Sequence, residues 1–331
     1  MKRVETLIVV AGLGLFAVVV SRIGWTAALT ELRRIWIAIP LLIALSVVRL
    51  FLQTRSWKIA LSAEGLKGSV GELIGIRLAS QSMGYLSVLG PAISEPMKIR
   101  LLGDDWRSAA TATIVDSGVY WFSSVLAGVV GCMAATVTLA HSRYAATVFA
   151  ITALFAVSAG LLLRKKPLLA TLIELLGRRA PGWLKKGAEL EQQMRGFRER
   201  NPAALHRMVF IGLVCQILLF GEAAVVIFLA KLPVHLLSLI GIEALVRITK
   251  MTAGWIPARI GADEGGAVAA FIAFGFTPSA GLMLALARRS RDLLWCVLGL
   301  SWLAWKSHQA RKNRSFVEAA SYAGHLSHSE Q

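Results

Sequence analysis

The chain has 331 residues, 56% apolar and 17% charged, with a formal net charge of +17. Soluble domains carry about 25% charged residues, so this deficit excludes an ordinary soluble enzyme and predicts a polytopic membrane protein of about seven to nine crossings, each about 20 residues long. The basic excess falls between and after apolar runs, where cytoplasmic loops concentrate Lys and Arg. Nucleic acid is therefore not an expected partner, and polar or anionic lipid headgroups are.

In chain order, Lys2 and Arg3 precede an apolar run over residues 6–20. No small-residue cleavage site follows before Arg22, which predicts a retained first helix entering from the cytoplasm rather than a signal peptide. Residues 22–35 read as an amphipathic connector, and residues 36–53 as a second span with Trp36 and Trp57 as interface anchors. Arg55, Lys58 and Lys67 place the following loop in the cytoplasm. Residues 70–96 form an apolar stretch interrupted at Gly90-Pro91, with Arg77, Ser80, Gln81, Ser82, Tyr85 and Ser87 along it. Arg77, Gln81 and Tyr85 are spaced four apart and share one helix face. Glu95, Lys98 and Arg100 follow. Both ends of this segment read as cytoplasmic, as in a re-entrant hairpin or two short crossings.

Residues 109–140 predict the next span. It carries Asp116, either a packing hydrogen bond or part of a cavity, and small residues that let helices approach closely. Another span is expected over residues 144–163. Residues 164–207 hold eleven Lys and Arg against four Glu and are punctuated by Pro167, Pro181 and Pro202. This basic amphipathic cytoplasmic linker divides an N-terminal membrane half (1–163) from a C-terminal one (208–305). A span over 208–230 contains Gln216 and Glu222. A second interrupted segment runs over 236–276, a last span over 280–305, and a polar, loosely ordered cytoplasmic tail over 306–331. Cys132, Cys215 and Cys296 lie in apolar runs without paired spacing, so neither a disulfide framework nor a zinc site is expected. No cofactor, metal or nucleotide-binding motif is expected either.

The two interrupted segments match each other. In the first, Gly75-Ile76 precedes Pro91-Ala92 by sixteen positions; in the second, Gly241-Ile242 precedes Pro257-Ala258 by sixteen. Charge at the bilayer centre is costly and faces a cavity or another charge. Broken backbone at that depth needs protein or water to satisfy it. A matched pair of interrupted segments in two halves of a chain is the pattern of a transporter binding site. The fold expected is an all-α polytopic membrane bundle with two proline-broken or re-entrant segments related by a weak internal repeat.

Residues 257–264 read Pro-Ala-Arg-Ile-Gly-Ala-Asp-Glu, followed by Gly265-Gly266; the earlier segment has Pro91 and then Ser94-Glu95-Pro96-Met97-Lys98. Here the sequence resembles the lysylphosphatidylglycerol synthase transmembrane region, the flippase-like UPF0104 membrane family. That family's second half typically carries Pro-Gly-Gly-Leu-Gly-x-x-Glu. Pro257, Gly261 and Glu264 match it, and Ala258 and Arg259 replace two glycines. In the first half Glu95 matches, Lys98 takes the basic position and Ser94 replaces glycine. The version with Arg288-Arg289-x-Arg291-Asp292 is most similar to a branch linked with hopanoid biosynthesis. The resemblance implies a lipid-handling protein of the bacterial inner membrane, with lipid-biosynthesis proteins as partners. The family's bifunctional members add a C-terminal aminoacyl-transferase domain, and the short stretch after Trp305 leaves no expectation of that reaction here.

The candidate headgroup site comprises Arg77, Gln81, Tyr85, Glu95, Lys98 and Arg100 from the first segment. Arg247, Lys250, Pro257, Arg259, Gly261, Asp263 and Glu264 come from the second, and Arg288 and Arg291 from the last span. Two readings compete for Asp263 and Glu264: they cap a half-helix, where free amides favour negative charge, or they line a headgroup cleft. Arg288 and Arg291 are expected to snorkel to the interface or to meet phosphate. Arg291 and Asp292, adjacent in sequence, are not expected to face each other. Beside lipid translocation, two functions compete: an intramembrane lipid-modifying enzyme, for which no catalytic motif is found, and a non-catalytic scaffold for lipid synthesis.

Overall fold

The computed structural model describes residues 36–328 apart from 37, 88–89, 104, 143, 145, 155–188, 190–191, 194, 230 and 254–255. The expected first helix, its connector and most of the basic linker lie outside the described residues. So does most of the span over 144–163, of which residues 146–154 are helical. Among the described residues the protein is helical throughout and contains no strand. It is a polytopic membrane helix bundle. Among the described residues, three helices are long and apolar enough to cross a bilayer on their own: Ala38–Ala63, Trp106–Thr138 and Pro202–Leu229.

Eight helices form two successions of the same shape. The first is α1 (Ala38–Ala63), α2 (Val70–Leu86), α3 (Pro91–Leu102) and α4 (Trp106–Thr138). The second is α5 (Pro202–Leu229), α6 (Leu236–Thr252), α7 (Ala262–Ala273) and α8 (Pro278–His328). In each, a long helix leads to one of 17 residues, then a break, a helix of 12 residues and another long helix. The weak sequence repeat is therefore a structural one. Packing between the successions is reciprocal: α2 lies along α8, α6 lies along α4, and α1 lies along α5. Close approach is secured by small residues. A Cβ on Gly75 would enter the Trp302 ring of α8, and one on Gly241 would strike Phe274 and the Ala135 backbone of α4.

The breaks have local causes. Ser69 caps α2 by accepting from the Glu72 N–H at 3.2 Å. After Ser87 the chain turns through Gly90 (φ 33°), and Pro91 opens α3, where its missing N–H costs nothing. Gly103, in the left-handed region (φ 72°), ends α3. Asp105 then caps α4, accepting from the Ser108 hydroxyl at 2.9 Å and the Arg107 N–H at 3.1 Å. The Ser108 bond foremost holds its carboxyl below the usual carboxylate range.

Several boundaries differ from the sequence expectation. α1 continues past residue 53 to Ala63, so Arg55 and Lys58 are helical. The extension is stabilised by Trp57, Ala60 and Leu61, which are buried in one core cluster with Leu73, Ile76 and Phe197. α5 begins at Pro202 rather than 208, and α8 runs unbroken into the expected tail as far as His328.

Candidate functional site

The first succession holds a buried ion pair. Arg77 (α2) meets Asp116 (α4) at 2.6 Å and donates to the Gln53 carbonyl of α1 at 2.9 Å. Ser56 donates to the other Asp116 oxygen at 2.9 Å, and the Arg77 guanidinium lies over the Trp57 ring. Asp116 is thus both a packing partner and a wall of a cavity. That cavity, about 10 Å³ and lined by Gln53, Ser56, Arg77, Asp116, Tyr120 and Cys215 among others, is at the limit of one water molecule. On α3, Lys98 is buried and pairs with Glu95 at 2.8 Å, while Glu95 keeps partial access to solvent.

The second succession repeats this arrangement with its signs exchanged. A shift of 166 positions, the one that carries Pro91 to Pro257, takes Gln53 to Leu219, Ser56 to Glu222 and Arg77 to Glu243. Asp116 lies ten positions into α4, and Arg288 lies ten positions into α8. In the structure Arg288 pairs with Glu243 at 2.8 Å and donates to the Leu219 carbonyl at 3.2 Å. Glu222 stands 3.7 Å from Arg288. Each succession thus sets a guanidinium–carboxylate pair against a carbonyl of the long first helix, with a further polar group a turn beyond that carbonyl, the Ser56 hydroxyl in the first and the Glu222 carboxylate in the second. The arginine sits on α2 in the first and on α8 in the second.

Around this second pair the charges are denser. Glu222, fully buried, also pairs with Arg291, and Arg49 of α1 approaches it at 3.5 Å. Arg291 reaches Asp292 at 2.7 Å. Two sequence expectations are corrected here. Arg288 and Arg291 are each 3% exposed and do not snorkel, because carboxylates inside the bundle hold them. Arg291 and Asp292 do face each other: backbone direction separates neighbours on a helix, but the long arginine side chain curls back over the shorter one.

The second break is a tight structure. Pro257–Arg259 form a single 3-10 turn in which Ala258 (φ 50°) and Arg259 (φ 48°) both take left-handed backbone. These are the two positions where the resemblance carries glycine. The strain is held by contacts. Arg259 pairs with Asp263 at 3.0 Å and approaches Asp292 at 3.7 Å, while Arg289 donates to the carbonyls of both strained residues at 3.4 Å. Gly261 (φ 78°) opens α7, and its N–H donates to Glu264 at 2.9 Å. Glu264 also pairs with Arg289 at 2.5 Å. Glu264 therefore caps the half-helix, the first of its two readings, and is fully buried in the charge cluster rather than open to a cleft.

The first segment meets the second at the turn, where the Arg259 guanidinium lies 5.6 Å above the Tyr85 ring. Arg77, Glu95 and Lys98 otherwise belong to the first cluster, and Asp263, Glu264, Arg288 and Arg291 to the second. Arg247 lies between α4 and α5, donating to Ser124 Oγ at 2.8 Å and Gln216 Oε1 at 2.6 Å. Lys250 is half-buried one turn further along α6, and Pro257 is buried in the turn. Arg100 is exposed at the end of α3 and stands apart. Gln81 is exposed although it lies between buried Arg77 and half-buried Tyr85, so the polar face of α2 is uncovered at that level. Glu222, Glu243, Arg49, Arg289 and Asp292 are the site residues that sequence reasoning left out. For Glu222 the signal was present, a carboxylate within a helix apolar enough to cross a bilayer. Arg49 carried the same signal, an ionisable residue inside the expected span over 36–53.

No group of three or more His, Cys, Asp or Glu among the described residues is placed to hold a metal ion. The arrangement defines a class: a polytopic membrane bundle whose two interrupted segments bring buried charges of both signs to the joint between two repeats. Its sequence matches the family described as Lysylphosphatidylglycerol synthase TM region over residues 5–299, and the chain belongs to that family. Neither a curated protein nor a solved structure matches it.

Proposed function

We propose that this protein is a flippase-like translocator in the bacterial inner membrane. It carries a polar-headgroup lipid, or an intermediate of lipid biosynthesis, from one leaflet to the other. The observation that carries the reading is the Tyr85–Arg259 contact, where the interrupted segments of the two repeats meet beside buried, mutually paired charges. A headgroup entering hydrocarbon loses its hydration, and each unsatisfied polar group costs several kcal/mol. Paired charges and helix termini that exchange partners with the headgroup offset that loss, while the acyl chains stay in the bilayer. In the arrangement described, Arg259 is paired with Asp263 and Glu95 with Lys98, and the path is closed. Parting of the two repeats would free Arg259, Asp263, Tyr85 and Glu95 for the lipid, with the uncovered face at Gln81 as the lateral entry.

The purified protein reconstituted in liposomes tests this. Fluorescent lipid placed in one leaflet is expected to reach the other, with its mass unchanged in extracted lipid. An altered lipid mass would instead identify an intramembrane enzyme. Neither movement nor chemical change would leave the scaffold reading, in which the protein serves hopanoid or other lipid-synthesis proteins.

A further inference from the structure

The two successions mirror each other at every charged position of the buried pair, but not on α6. The shift that aligns Arg77 with Glu243 places Gln81 opposite Arg247 and Gly84 opposite Lys250. Two cations thus stand where the first repeat is neutral, one turn apart on one helix, just ahead of the break. Of the six cations on α6, the turn and α8 as far as Arg291, four have carboxylates within ion-pair distance: Arg259, Arg288, Arg289 and Arg291. Arg247 and Lys250 have none among the described residues.

Arg247 is 6% exposed, yet its bonds run from a single nitrogen to neutral groups, the Ser124 carbonyl and hydroxyl and the Gln216 amide. Its Nε and Nη2 are buried without partners. The Phe220 ring beneath it offers a face, not a counter-charge. Lys250 lies in the electrostatic field of Asp263, Asp292 and Glu222, but each of these acids is already paired with an arginine. A buried guanidinium without a counter-ion is strongly disfavoured, and its fork of N–H donors fits a tetrahedral oxyanion bidentately, with an ammonium one turn away as a point charge.

We propose that Arg247 and Lys250 form the seat for the phosphate of a lipid headgroup, occluded here by Ser124, Gln216 and Phe220. The seat rests on the translocator reading for its lipid source, and it narrows the cargo to phosphate-bearing lipids. Phosphate entering between α4, α5 and α6 takes the unused donors Nε and Nη2, and supplies the negative charge that the second repeat lacks.

Binding tests the seat apart from transport. The full chain in detergent micelles is titrated with dioctanoyl phosphatidylglycerol, with dioctanoylglycerol of the same tails, and with inorganic phosphate, read by native mass spectrometry and by the ligand-induced rise in melting temperature. The phospholipid is expected to bind about tenfold or more tighter than the diacylglycerol, in keeping with charge-assisted bonds to an anion. Inorganic phosphate is expected to compete weakly. Arg247→Gln and Lys250→Gln are each expected to abolish that preference while leaving diacylglycerol binding and the melting temperature of the empty protein unlowered; Arg247→Lys keeps part of it. A purely structural arginine would instead lower the empty protein's melting temperature and spare the preference, which overturns the seat. Equal binding of phospholipid and diacylglycerol also overturns it, and inorganic phosphate binding as tightly as the phospholipid overturns the lipid source. Phosphate-selective binding without movement of the phospholipid in liposomes supports the seat and retires translocation. Movement of phosphate-free glycolipid as fast as phospholipid does the reverse.

Discussion

Ala258 and Arg259 carry a clear conformational cost, because neither is glycine and the two consecutive residues both have positive φ. Left-handed backbone costs an L-residue about 1–2 kcal/mol, and such strain persists where surrounding contacts over-determine it. For Arg259 the contacts are visible: Asp263, Asp292 and the Tyr85 ring all hold its guanidinium. Ala258 is held only through its carbonyl, which accepts from Arg289 at 3.4 Å. Ala258→Gly is therefore expected to stabilise the protein by about 1 kcal/mol, read as a higher melting temperature in micelles; an unchanged or lower value would show that the turn is unstrained. Arg77 and Asp116 give a second expectation at this scale. Removing either partner alone, as in Arg77→Gln or Asp116→Asn, leaves a buried charge unpaired and costs about 3–5 kcal/mol. The exchanged pair Arg77→Glu with Asp116→Arg is expected to recover more than half of that loss, because Glu243 and Arg288 already occupy the equivalent positions in that polarity. Denaturation of the single and double variants checks it; a double variant as unstable as the two single losses combined would mean that the repeats differ in more than sign.

At the scale of elements, the interrupted segments were legible because Gly-Ile and Pro-Ala pairs set their register, and α2–α3 and α6–α7 fall where those pairs place them. The ends of the long helices were less legible. α1 outruns its apolar stretch because Trp57 and Leu61 bury one face against α2 and α4, a tertiary contact that local hydropathy does not encode. The charge partners were least legible of all: Glu222 and Arg291 are far apart in sequence, and which carboxylate takes which arginine depends on how α5 and α8 cross. Crossing geometry is itself set by glycines. A Cβ on Gly281 would stand 2.7 Å from both the Ala267 carbonyl oxygen and the Val268 Cα of α7, backbone atoms that cannot step aside. In a helix interior Gly→Ala gains up to about 1 kcal/mol from propensity, whereas overpacking costs about 1–3 kcal/mol. Gly281→Ala is thus expected to lower stability and to loosen α7 from α8. Gly71→Ala on α2, with nothing within 4 Å, is expected to be neutral or stabilising. Equal effects of the two substitutions in a thermal melt would remove the case that backbone contact fixes the α7–α8 crossing.

At the scale of the molecule, two repeats with opposite polarity in their buried pairs pack along three helix pairs, with their interrupted segments touching at Tyr85 and Arg259, and what separates a transport path from a sealed core is whether water reaches that joint. The uncovered residue on that path is Gln81, bracketed on its own helix face by Arg77 and Tyr85. Against acyl chains a glutamine would leave its amide unsatisfied, at a cost of several kcal/mol; against a wet groove it costs little. Other exposed positions, such as Val130 on α4 and Phe228 on α5, are apolar, as lipid-facing positions should be. Cys132, Cys215 and Cys296 are all buried, so the chain brings little thiol background of its own. Gln81→Cys is therefore expected to react with a charged, membrane-impermeant thiol reagent at least roughly tenfold faster than Val130→Cys or Phe228→Cys, because only a hydrated thiol ionises to the reactive thiolate. Adding the transported lipid should slow that labelling, since a headgroup lodged beside Tyr85 and Arg259 would cover position 81. If Gln81→Cys labels no faster than the lipid-facing controls, the polar face of α2 opens onto hydrocarbon, and the lateral entry must be sought elsewhere on the bundle.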